Sequence, residues 1–131
     1  MLKIILVIVI CLLVCLPHLI GEEKVIIAVA SDGETLNSSV SHVAARSPYF
    51  LIFDSKGKPL EAVENPYKNT RGGAGVLTVK FLAERNVTIV VAGNFGDKMK
   101  EALEANEIAY LEFEGIVENA IQKILEEEER T

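Results

Sequence analysis

The stretch Val87–Asn106, VTIVVAGNFGDKMKEALEAN, decides the fold class. Its opening VTIVVAG is apolar on both faces and rich in β-branched residues. A strand with no polar face belongs inside a sheet that is covered on both sides. "NFGD" turns the chain, and Lys98–Asn106 reads as a helix with Asp97 as its N-cap. Strand, glycine loop and helix in succession are the unit of a layered α/β domain.

Working outward, KVIIAVAS (Lys24–Ser31) repeats the two-faced apolar pattern and predicts a second central strand. PYFLIFD (Pro48–Asp54) is a further strand, followed by the turn SKGK, where Gly57 is free to take positive φ. PLEAVENP (Pro59–Pro66) alternates at Leu60, Ala62 and Glu64. Its opening proline and its charges mark it as an edge strand, ended by Asn65-Pro66. The polar, small residues from Asp32 to Ser47 read as a loop.

A helix is expected from Ala74 to Arg85, because Leu77 and Phe81 lie four apart and Val76, Val79 and Ala83 widen their face. IAYLEF (Ile108–Phe113) is the last strand. A final helix starts near Ile116, with Ile116, Ala120, Ile121 and Ile124 inward, and runs into the tail EEEER. The order β-β-β-α-β-α-β-α predicts a three-layer α/β domain, a five-stranded mixed sheet with flanking helices.

Charge narrows the class of partner. The net charge is −6, which argues against nucleic acid. The balance is uneven. Arg46–Arg85 holds seven basic and four acidic residues, whereas the chain from Asn86 onward holds four basic and eleven acidic. The basic excess surrounds the run NTRGGAGVLTVKF, Asn69–Phe81.

Residues 1–21 form a separate unit. Lys3 precedes an unbroken apolar run of 13 residues, Ile4–Leu16, which PHLIG ends. That length suits a secretory signal better than a membrane span of roughly 20 residues. A short membrane anchor, or a start codon assigned too far upstream, are the other readings. The protein is accordingly exported or membrane-anchored if the leader is real, and cytoplasmic if it is not. Residues 22–131 form the expected domain. Both cysteines, Cys11 and Cys15, fall in the leader, so the domain has neither a disulfide framework nor a thiolate cage.

The glycines of TRGGAG have two readings. At the mouth of a helix they let an anion approach unpaired amides, with Arg71 assisting. Alternatively they form a tight loop before close helix–sheet packing. The run lacks the Lys-Ser/Thr of a P-loop and the spacing of a dinucleotide fingerprint. Asp32, Glu34 and Asp54 do not converge as two-metal hydrolysis requires, and His42 has no recognisable catalytic partner. No enzyme is predicted.

The segments KVIIAVASDG, RSPYFLIFD, ENP, GGAG, VVAGNFG and GIVENAI, in this order and at these intervals, resemble the dinitrogenase iron-molybdenum cofactor biosynthesis family, over Lys24–Leu125. The resemblance implies a ribonuclease H-like sheet between helices, and a carrier rather than a catalyst. It also implies an iron-molybdenum or iron-sulfur cluster as the cargo. Before the second strand, members of the family often carry S-x-H-F-G-R-A-P-Y-F, where this chain has SHVAARSPYF. Arg46, Pro48, Tyr49 and Phe50 match; Val43 stands at the histidine's place, and His42 is one residue early. The expected ligand-binding residues are Arg46, Arg71, Gly72, Gly73, Ala74, Gly75 and Asn94, at an edge made by the 42–48, 71–75 and 93–97 loops. His42 is the candidate metal contact. The alternative is a regulatory or adaptor module that binds a protein or small anion without metal, tethered by residues 1–21 if these persist.

Overall fold

The computed structural model describes residues 24–130; the leader, with Cys11, Cys15 and His18, lies outside them. The strands are β1 (Ile26–Ser31), β2 (Tyr49–Asp54), β3 (Pro59–Glu64), β4 (Ile89–Ala92) and β5 (Ala109–Glu112). The helices are α1 (Ala74–Glu84), α2 (Asp97–Ala105) and α3 (Val117–Glu129), and Ala44–Arg46 forms a 3-10 turn. The strands form one five-stranded sheet in the order β3-β2-β1-β4-β5. β2 runs antiparallel to β1 and β3, whereas β1, β4 and β5 are mutually parallel neighbours. The sheet is mixed, as the element order predicts.

β1 is central and all six of its residues are buried. Ile26, Ala28 and Ala30 face one core with Phe50, Ile52 and Val90, and Val79, Leu82, Met99 and Leu103 of α1 and α2 close it. Ile27 and Val29 face the other core with Leu51, Phe53 and Val91. There α3 alone supplies the cover, through Val117, Ala120, Ile121 and Ile124.

Helix ends differ slightly from the expected ones. α2 begins at Asp97 itself, with Gly96 as N-cap and no side-chain cap. Asn86 and Glu107 take left-handed φ of 63° and 56° just beyond α1 and α2 and stop both helices. β3 is the predicted edge, but Leu60 and Ala62 share the sheet face of Leu51, beyond the cover that α3 gives it, and it is Val63 that packs inward, against the α1/α2 core.

The β2–β3 turn is built by two residues. Gly57 has φ +80°, and a Cβ there would meet Ile121 Cγ2 at 2.9 Å, so the tip folds down onto α3. Asp54 Oδ1 accepts the amides of Lys56 and Lys58, each at 2.9 Å. Those bonds, Lys58's first, hold the Asp54 carboxyl below its ordinary value. A carboxylate lowered by folding stabilises above its unfolded pKa of about 3.9 and loses that effect as pH falls through the folded value. Asp54→Ala should therefore lower the urea midpoint at pH 7, and the gap from the wild type should close below about pH 4. A gap that stays constant from pH 7 to pH 3 would contradict this account of the turn.

Candidate functional site

In open α/β sheets, ligands sit beyond the carboxyl ends of strands, where the winding reverses. Here that point lies between β1 and β4, the central parallel pair. The chain fills it with its own backbone. Ser41 N donates to Ala30 O at 2.8 Å, Gly93 N to Ser41 O at 2.9 Å, and Ala44 N to Asn94 O at 3.0 Å. The region read as loop, 32–47, thus contains a strap that extends both strands. Gly93 makes the close approach possible: a Cβ there would lie 2.9 Å from both Cα and O of His42.

With the strand ends closed, the open space lies to one side, between the starts of α1 and α2. It is a cleft of about 450 Å³, lined by Arg46 and its turn, Gly73–Val76, and Gly96–Met99. Gly75 brings the two helices together, since a Cβ on it would stand 2.9 Å from Met99 Cβ. The close packing is helix against helix, not helix against sheet. Gly72 and Gly73 serve a different purpose. Both have φ near +70° and nothing within 4 Å of a built Cβ, so they are glycine for backbone conformation and leave open space.

Neither helix start carries a side-chain cap. The first main-chain bonds run from Leu77 N to Gly73 O and from Lys100 N to Gly96 O. The amides of Ala74, Gly75 and Val76, and those of Asp97, Lys98 and Met99, have no acceptor among the described residues. Two positive helix ends therefore border one opening.

The flanking charges are mixed but mainly basic. Arg46 donates from Nη1 to Lys68 O at 3.1 Å and to Thr70 O at 2.6 Å, and so pins the loop that leads into α1. Buried Asn65 ties the same loop from below: its amide reaches Ala45 O at 3.0 Å, and its carbonyl oxygen takes Tyr67 N at 3.0 Å. Lys98 is exposed and lines the cleft, with Asp97 beside it. Val43 and Val76, 43% and 48% exposed, supply apolar walls.

Of the residues singled out in the sequence, Arg46, Gly73, Ala74 and Gly75 line this cleft. Gly72 and Arg71 adjoin it in the chain, and Arg71 is exposed with no hydrogen bond or ion pair to a described residue. His42 and Asn94 are exposed but lie outside the lining, and Val43 takes the place on the cleft wall. Among the described residues no three His, Cys, Asp or Glu side chains gather as a metal site. Sequence reasoning missed Lys98 and Met99, although their position at a glycine-led helix start is the same signal that marks Gly73–Gly75.

The profile of the family described as dinitrogenase iron-molybdenum cofactor matches residues 23–127. The chain belongs to that family. No curated relative matches it. Among solved structures, the apo orange protein of Desulfovibrio gigas is 27% identical, with a TM-score of 0.73 over 82% of this chain and 90% of that one. A protein provisionally assigned as NifB from Thermotoga is 34% identical, with a TM-score of 0.67 over 78% and 88%. A protein provisionally assigned as a dinitrogenase from Methanocaldococcus jannaschii shares the fold at 16% identity, with a TM-score of 0.56 over 80% and 91%. This family places the chain among cofactor-associated domains, and the five-stranded mixed sheet is common to these neighbours.

Proposed function

We propose that this domain is a non-catalytic carrier that holds an anionic metal-sulfur cofactor in the cleft between α1 and α2. Family membership supports this class of cargo. The observation that carries the reading is the pair of uncapped helix starts facing one opening, edged by Arg46 and Lys98. Amides and a guanidinium suit negative charge spread over several sulfur or oxygen atoms. Val43, Val76 and the edge of Met99 suit the softer, less hydrated faces of such a cluster.

The donor set limits how the cargo is held. The lining offers no thiolate and no imidazole. The cargo is therefore gripped through its outer atoms, with His42 a contact only if the strap moves. A carrier of this kind binds, orients and shields; it needs no proton donor aimed at its ligand.

Reconstitution of the full chain with iron and sulfide, or with isolated cofactor, should give a coloured protein whose absorbance co-elutes with the folded species. A colourless but folded protein would remove the cluster reading. If inorganic phosphate then protected the same protein against heating, the site would be an anion module without metal.

A further inference from the structure

The sheet is covered unequally. Strands spaced about 4.8 Å apart make a five-stranded face roughly 19 Å wide, whereas one helix is about 10 Å across. α1 and α2 together cover one face, and α3 alone covers the other. Beside α3 a groove of about 350 Å³ remains open over β2 and β3. Leu51, Phe53, Leu60 and Ala62 line it from the sheet, and Leu36 lines it from the preceding loop. Leu36 is 40% exposed and Leu60 51%, and no described residue covers them. Among the described residues they are two of the four large exposed hydrophobics; the other two, Val43 and Val76, line the carrier cleft.

Opposite charges flank the groove, acidic residues at one end and the β2–β3 turn that adjoins its other end. At the end near the β1–loop junction, Glu34 lines it, and Glu64 lies on the same sheet face as Leu60 and Ala62, paired with Tyr49. The charge of Glu34 foremost, then burial and the charge of Glu64, raise the Tyr49 hydroxyl pKa, so both carboxylates act on one spot. At the other end the β2–β3 turn folds toward α3 through Gly57 and carries exposed Lys56 and Lys58. Asp54 in that turn accepts both of their backbone amides.

A surface with an apolar middle, an acidic end and a basic end is complementary to itself when turned by a twofold axis. We propose that this face pairs with a second copy of the chain, Leu36 and Leu60 meeting across the axis and Glu34 and Glu64 facing Lys56 and Lys58 of the other copy. The contact is face to face. Strand addition at the β3 edge is blocked by Pro59, which has no amide to donate, and by the charges of Glu61 and Glu64. The carrier cleft opens on the opposite side of the sheet, so pairing leaves it accessible.

Sedimentation of the full chain in mild detergent should show a concentration-dependent dimer, and Leu60→Asp should weaken it about tenfold or more. The charge test is more specific. A Glu34→Lys/Glu64→Lys variant and a Lys56→Glu/Lys58→Glu variant should each be monomeric, yet form a one-to-one dimer when mixed. Monomer at all concentrations overturns the proposal. So does a dimer indifferent to Leu60→Asp, charge variants that self-associate like the wild type, or a photo-crosslinker at position 60 that captures residues 1–23 of its own chain.

Discussion

Gly93→Ala is expected to destabilise the domain by about 2–3 kcal/mol, the upper part of the usual range for forcing a group into a filled interior. For a domain of this size that lowers the melting temperature by about 10 °C. The new Cβ would meet main-chain atoms of His42 at 2.9 Å, and main chain held by hydrogen bonds on both sides has nowhere to retreat. Gly72→Ala is the informative contrast. There the Cβ enters empty space and only the left-handed backbone, φ +70°, opposes it, at about 1 kcal/mol. Thermal melts of both variants test the assignment: equal losses would mean that the strap over β1 and β4 is not the rigid element described.

The second large effect concerns binding and not stability. Arg71→Glu combined with Lys98→Glu should reduce capture of cofactor, or of phosphate, by about a hundredfold at low salt, and by less at high salt. Both side chains are exposed and pair with no described residue, so the melting temperature should hold. Arg46 is a poorer choice, because its guanidinium also pins the carbonyls of Lys68 and Thr70, and losing it would confuse fold with charge. Titration followed by visible absorbance or calorimetry decides the matter. Unchanged affinity in the double variant would place the ligand elsewhere.

Most of the architecture was legible from patterning. β1 and β4 announce themselves as central because no face of either is polar, and β3 as an edge through Pro59 and its glutamates. The glycine loops before α1 and α2 could be placed at one end of the sheet for the same reason: both precede helices that follow strands. What could not be read is the strap. Ser39, Ser41 and Val43 look like loop residues because their role is played by backbone atoms, which side-chain identity does not report. Asn65 illustrates the same limit. Its two bonds to main chain make it a buried polar brace, while in sequence it is simply the residue before a proline. The displacement of His42 from the cleft follows from the strap too, since neighbouring residues on an extended segment point to opposite sides.

The strap is held at its other end by the last part of the chain. Ser39 bridges to Ile116, Val40 N donates to Gly115 O at 2.8 Å, and Val117 N donates to Ser38 O at 3.0 Å. These partners are some 75 positions apart, and such distant pairings form late because a long loop must close first. A nascent chain that has emerged only as far as β5 already has both glycine-led helix starts, but not the clamp that fixes Val43 and Arg46 beside them. For the carrier proposed above, loading is expected to wait until synthesis of the carboxyl-terminal helix has begun, and a prematurely terminated product would have most of the sheet and an unfinished cleft.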